Sequence, residues 1–368
     1  MFDMSKTLSG FSDPLLAKGL VDSIKKTCAT FDHNRHITLM EVCGTHTVSI
    51  ARTGIRSLLP ENVTLTSGPG CPVCVTDNKD IDAVIALARL KNVIITTFGD
   101  MTRVPGSTSS LLKEQSRGAD LRICYSPLDA LKIAQENKDK EVVFVGVGFE
   151  TTTPLIAMTI LRAKALSLKN FSVYVAHKNM PGALEKIVSD PDLRIDGLIL
   201  PGHVSTIIGS HPYEFISEKY HIPGVIAGFE AVDILQGVAM LLTQIAAGDA
   251  KIEIAYTRGV EESGNIDAVK AIDKVFNTCT ATWRGLGDIE GSGYCLKPEF
   301  SQFDALAKMK PDIEETKNNS GCKCGDVLRG IITPADCPLF RKVCSPENPV
   351  GPCMVSSEGT CAAYYRYY

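Results

Sequence analysis

The run Glu141-Val142-Val143-Phe144-Val145-Gly146-Val147-Gly148-Phe149-Glu150-Thr151-Thr152-Thr153-Pro154 decides the fold class. From Val142 to Val147 it is apolar and β-branched without alternation, the pattern of a strand buried on both faces. Glycine then turns the chain, and Thr153 followed by Pro154 offers a cap and a proline for the first turn of a helix. The same order of apolar run, turn and helical pattern repeats on both sides. Strands are expected at Ile37–Val42, Val63–Thr66, Val93–Phe98, Leu121–Tyr125, Glu141–Val147, Phe171–Val175, Gly197–Leu200, Gly224–Ala227 and Ile252–Tyr256. Strands alternating with helices build parallel sheets, so the fold class is α/β.

The expected organisation is two parallel-sheet α/β/α domains over 31–138 and 139–250, divided at the polar, Lys-rich stretch Gln135–Lys140. An N-terminal helical segment over 1–30 precedes them, with its helix over Pro14–Cys28. Beyond Gly248 the texture changes. A helix is still readable near Ile266–Asn277, but from Gly285 onward glycine, proline and cysteine replace long apolar periodicities. Such a segment cannot close a core by apolar burial alone, so 251–368 is expected to be a cysteine-rich domain held by a metal site.

The 368 residues are 44% hydrophobic and 22% charged, which supports a large core and excludes disorder. Lys and Arg number 38 against 42 Asp and Glu, with no long block of one sign, so no charge argument favours nucleic acid or an acidic membrane. The most apolar helix candidate, Ala231–Gly248, is interrupted by Asp233, Gln236 and Gln244 and reads as a buried helix rather than a span. The first twenty residues lack a secretory pattern, which points to the cytoplasm. Thirteen cysteines in a reducing compartment are metal or redox groups more often than staples.

Six of them, Cys322, Cys324, Cys337, Cys344, Cys353 and Cys361, fall within forty residues. A cubane iron-sulfur cluster takes four thiolates from spread positions and would leave two spare thiols to form a reducible pair. Zinc, which prefers two close pairs, and plain buried or disulfide-linked cysteines are the competing readings. A second constellation follows two strands: Glu41-Val42-Cys43-Gly44-Thr45-His46 and Gly68-Pro69-Gly70-Cys71-Pro72-Val73-Cys74. Open parallel sheets carry function at the carboxyl ends of their strands, so Cys43, His46, Cys71 and Cys74 should meet at one rim. Cys71 and Cys74 have redox spacing and precede a helix, whose dipole favours thiolate; the plainer reading is a glycine-proline turn that happens to carry them. Cys43 beside His46 reads as a metal ligand or nucleophile. Glu150 is either a helix-start carboxylate or a functional acid. His177 and His203 lie just past strands, where a structural histidine is the common case. Gly146-Val147-Gly148 lacks the third glycine of a dinucleotide fingerprint. Cys28, Cys124, Cys279 and Cys295 have no partner at useful spacing and read as buried packing residues.

Met40–His46, Gly68–Cys74, Phe98-Gly99-Asp100-Met101 with Arg103–Gly106, Gly148–Thr152, Pro201–Ser205 and the carboxyl-terminal cysteine spacing, taken in order, resemble the hydrogenase maturation factor HypD family across nearly the whole chain. The resemblance implies a [4Fe-4S] cluster in surroundings similar to ferredoxin:thioredoxin reductase. By that analogy its ligands are Cys322, Cys337, Cys344 and Cys361, with Cys324 and Cys353 as an adjacent redox pair. It also implies a scaffold on which the Fe(CN)2CO unit of [NiFe]-hydrogenase is assembled, with a HypC-type small chaperone and a HypE-type cyanide donor as partners. Cys43 would then hold the transient iron with its cyanide and carbon monoxide ligands, and electrons would pass from cluster to Cys324/Cys353, to Cys71/Cys74, to the reaction at Cys43. Glu150, His46 and His203 would position ligands or move protons. Two other classes stay open: a cluster-dependent thiol-disulfide reductase acting on proteins, and a zinc-stabilised interaction scaffold. The sequence does not decide between catalytic turnover and a scaffold role.

Overall fold

The computed structural model describes residues 13–191, 193–317 and 321–368. Residues 1–12 of the expected N-terminal segment lie outside them; the remainder forms the helix Pro14–Cys28, capped by Asp13, whose carboxylate accepts the Leu15 N–H at 2.8 Å.

Every expected strand is present: β1 Ile37–Glu41, β2 Val63–Ser67, β3 Val93–Thr97, β4 Asp120–Ile123, β5 Glu141–Gly146, β6 Phe171–Val175, β7 Gly197–Pro201, β8 Gly224–Ala227 and β9 Ile252–Ile254. They form two sheets, ordered β2-β1-β7-β8-β9 and β4-β3-β5-β6, and all their pairings are parallel. Helices pack on the sheets, as the crossover connections of parallel strands require.

The sheets do not follow one another along the chain, which corrects the expected division. β1 and β2 join β7, β8 and β9, while β3 to β6 form a sheet inserted between them. The stretch Gln135–Lys140 separates β4 from β5 within that inserted sheet. It is an exposed helix-to-strand turn, closed by Lys140 N–H to Asn137 O at 3.1 Å, and such a turn is polar wherever it occurs.

A second correction concerns the segment after residue 275. The helix Ile266–Val275 ends there, and β10 Phe276–Trp283 with β11 Gly287–Leu296 form an antiparallel hairpin. The sequence of β10, Phe-Asn-Thr-Cys-Thr-Ala-Thr-Trp, is rich in β-formers. Its tip is anchored by Trp283, which is fully buried, stacks on Phe149 at 5.7 Å between centroids and donates its indole N–H to Ser292 Oγ at 2.9 Å.

One apolar core joins Met40 and Val42 of the first sheet to Trp283 and to Cys324, Leu328, Cys353 and Met354 of the tail. The cysteine-rich segment thus borrows a core from the sheet. The helix Ala231–Ala247 buries Ile234, Leu235, Val238, Leu241 and Leu242, and packs on Pro14–Cys28. Its buried Asp233 pairs with Arg258. No described helix is long and apolar enough to cross a membrane.

Trp283→Ala is expected to destabilise the protein by about 3–5 kcal/mol through cavity formation, and Ser292→Ala by about 1–3 kcal/mol through the unpaired indole N–H. Urea denaturation of both variants checks the order.

Candidate metal and thiol centre

β1, β2, β7 and β8 end at the same edge of their sheet, and the loops leaving them carry Cys43, Gly68–Cys74, Gly202–His203 and Gly228–Phe229. Gly44 N–H donates to Gly70 O at 3.0 Å, and a Cβ on Gly70 would lie 2.2 Å from Cys43 N. Only glycine permits that approach, which fixes the Cys43 loop against the Cys71 loop. Cys71 caps the one-turn helix Pro72–Val75, its Sγ accepting the Cys74 N–H at 3.4 Å.

The tail closes over this rim. The turn Pro352–Met354 packs against Pro72–Val75. Arg284 donates its backbone N–H to Val75 O at 2.9 Å and its Nε–H to Thr76 O at 3.1 Å, while Arg103 Nη2 reaches Val355 O at 3.2 Å. The Cys353 thiol lies beside those of Cys324, Cys361 and Cys74, close enough to shift its titration. The Cys322 thiol lies likewise beside that of Cys324. The thiols of the rim and the tail are therefore contiguous, and no domain motion is needed to bring Cys74 to Cys353.

Cys322, Cys324, Cys337, Cys344 and Cys361 line one cavity, together with Val327, Leu339, Phe340 and Met354. A Cβ on Gly351 would meet Cys322 Sγ at 2.6 Å, so glycine there keeps the thiols clear. Four thiolates spread around an apolar wall suit a cubane iron-sulfur cluster. Among the described residues no three His, Cys, Asp or Glu side chains close on one point as ligands of a single metal ion would.

Burial sets the electrostatics. It pushes Cys43 up to about 12, although the N–H groups of His46 and Thr45 pull the other way, and it drives Cys74 well above the usual thiol range. At Cys74 the expected preference for thiolate is reversed by desolvation, and Cys43 and Cys74 alike need a metal or a proton acceptor to ionise.

His46 is fully buried, and its Nε2–H donates to Gly228 O at 2.9 Å and Ala227 O at 3.2 Å. That fixes the tautomer and leaves the Nδ1 lone pair buried with no hydrogen-bond partner among the described residues. Phe229 lies between His46 and the exposed His203, with ring centroids 5.0 and 3.8 Å away. Two carboxylates enter that the motif reading did not assign. Glu41 Oε2 accepts the Cys43 N–H at 3.1 Å and its Oε1 accepts Thr47 Oγ1 at 2.6 Å; Glu358, from the tail, accepts Thr45 Oγ1 at 2.8 Å. An acid flanked by Met40 and Val42 in a strand was a readable signal for Glu41. Glu358 carries none. Glu150 is placed differently: its Oε1 accepts the Met180 N–H at 2.9 Å at the start of Met180–Val188, and it hydrogen-bonds to no thiol. His177 is buried against Phe276, 6.0 Å between rings, and neither ring nitrogen has a hydrogen-bond partner among the described residues.

The chain matches the HypD family, described as "Hydrogenase formation hypA family", over residues 15–368. It is 47% identical over 341 residues to the "Hydrogenase maturation factor HypD" of Escherichia coli (strain K12), covering 92% of this chain and 91% of that one. It is 46% identical over 374 residues to the protein of the same name from Rhodobacter capsulatus, covering 98% of each. The chain belongs to the HypD family. As a HypD chain it is a hydrogenase maturation factor, which agrees with the resemblance of its ordered motifs.

Four buried ionisable groups of this HypD chain shape its stability against pH. Burial raises Glu41 and Glu150 from 4.5 to about 7 and lowers His46 and His177 from 6.5 to about 4 and about 3. Between pH 4.5 and 7 the native carboxyls hold protons that the unfolded chain has released, so their contribution falls as pH rises. Below pH 6.5 the unfolded histidines bind protons that the native ones refuse, so theirs rises with pH. The two trends oppose each other. Glu150→Gln keeps an acceptor for Met180 and removes one falling component. Its thermal midpoint should climb more steeply between pH 5 and 7 than the parent's, and exceed it at pH 8 by on the order of a few degrees. A midpoint series against pH checks both.

Proposed function

We propose that this chain is the redox scaffold on which the Fe(CN)2CO unit of [NiFe]-hydrogenase is built, in the cytoplasm, with a HypC-type chaperone sharing the iron and a HypE-type partner delivering cyanide as a thiocyanate. The contact of Cys74 with Cys353 carries the reading, because it links the thiol pair beside Cys43 to the thiol-rich tail. Cys43 is the iron anchor in this reading: a soft thiolate suits low-spin iron, and metal binding replaces the proton that burial otherwise holds on its sulfur. Cys322, Cys337, Cys344 and Cys361 hold the [4Fe-4S] cluster, which when bound supplies electrons singly.

The residues of the chain divide the remaining work. A thiocyanate and the Cys71/Cys74 dithiol yield a thiol, hydrogen cyanide and the Cys71–Cys74 disulfide, which conserves atoms and electrons. Cyanide goes to the iron, and its proton leaves on the side of the rim where His203 is exposed, His46 staying neutral. Cys353, in contact with Cys74, then attacks that disulfide, and Cys324 resolves the mixed disulfide to restore the dithiol. His203 and Phe229 wall the site, and Glu358 braces the Cys43 loop through Thr45.

Anaerobic preparations of Cys43→Ser, Cys71→Ser and Cys74→Ser test the reading. Each should keep about four irons and four sulfides per chain. Cys43→Ser should lose the infrared cyanide and carbon monoxide bands of the complex with the chaperone, and all three should lose hydrogenase maturation. Maturation that survives Cys71→Ser and Cys74→Ser, or a parent chain holding zinc without sulfide, contradicts it.

A further inference from the structure

Cys279 and Cys295, separate in sequence, are brought together by the hairpin. The register pairs Cys279 with Gly293 and Asn277 with Cys295, so the two cysteines are diagonal neighbours on one face. Gly293 has no side chain to stand between them, and the ladder is irregular between Cys279 and Ala281, where a bulge increases local twist. The Cys295 thiol donates to Asn277 O at 3.7 Å and lies beside that of Cys279. Both are half-exposed, unlike Cys43, Cys71 and Cys74, so the sequence expectation that they are buried packing residues is corrected. They line a cavity of about 210 Å³ with Lys178, whose ammonium lies 3.5 Å from Asp80, itself accepting Tyr174 OH at 2.9 Å. That cavity shares no lining residue with the one walled by the tail cysteines.

We propose that Cys279 and Cys295 form a second dithiol couple, reachable from solvent, that exchanges with low-molecular-weight disulfides. The Cys295 thiolate attacks one sulfur of the small disulfide and expels one thiol. Cys279 then attacks the Cys295 sulfur and expels the second. The two cysteines are oxidised to a disulfide, the small disulfide is reduced to two thiols, and the two cysteine protons pass to the leaving sulfurs. The order follows from burial, which pushes Cys279 up to about 12 against the pull of Lys178, so Cys279 holds its proton and acts second. The couple is independent of the assembly role proposed above.

The whole chain, kept anaerobic, is equilibrated in reduced and oxidised glutathione at graded ratios, alkylated and mapped by peptide mass. The expected result is a peptide pair linked through Cys279 and Cys295, forming at one midpoint ratio at which neither thiol is oxidised without the other. Cys279→Ser should trap glutathione on Cys295, and Cys295→Ser should slow the reaction of Cys279 roughly tenfold or more. Two thiols that stay free in the parent chain, or that take up glutathione separately without linking, overturn the proposal. The mapping of the parent chain decides the matter even if a serine variant fails to fold.

Discussion

A tail too poor in apolar residues to build its own core rests on Met40 and Val42 of the β2-β1-β7-β8-β9 sheet, and the contact of Cys74 with Cys353 follows from that docking. The tail adds Leu328, Met354 and several cysteines to the shared core, and the sheet gains a cover over its carboxyl edge. Free cysteine packs as a small hydrophobe, so the same thiols serve as core and as chemistry. Trp283 at the hairpin tip and Arg284 after it tie the docking to the turn that carries Cys71 and Cys74.

Burial is the source of both the reactivity and its restraint. In a desolvated site a thiol keeps its proton until a metal or a base takes it, which guards Cys43 and Cys74 against chance oxidation. His46 is held neutral by the same desolvation, its Nε2–H committed to two carbonyls and its Nδ1 without a hydrogen-bond partner among the described residues. Glu41, braced by Thr47 and the Cys43 amide, stabilises the loop without having to carry a full charge.

The strands were legible because each is an apolar or β-branched run bounded by turn residues, with β3, β7 and β8 buried throughout, and the rim of Cys43, His46, Cys71 and Cys74 followed from the rule that parallel strands present their carboxyl ends together. Sheet membership was not legible. β1 pairs with β7 about 160 residues on, through the register Leu39 to Gly197, and no local pattern records which distant strand will be a neighbour. The Thr-rich β10 was hidden beside a helix end. The pair Cys279 and Cys295 exists only once the hairpin has formed, and Glu358 reaches Thr45 across 313 residues from a Ser-Ser-Glu-Gly loop without periodicity. Gly-Phe-Glu occurs twice, at 148–150 and 228–230, and its two copies are used differently: Phe149 after β5 stacks on Trp283, whereas Phe229 after β8 lies between two histidines.

The account stands on the continuity of thiols from rim to tail, and a cross-link measures it directly. In a chain carrying Cys71→Ser and Cys324→Ser, with Cys361 engaged by the cluster, Cys74 and Cys353 keep each other but lose their redox partners. Mild oxidation followed by peptide mapping should then give a Cys74–Cys353 disulfide in the folded protein. A folded double variant in which those two cysteines never link, while oxidant consumes thiols elsewhere, would contradict the path on which the assembly chemistry depends.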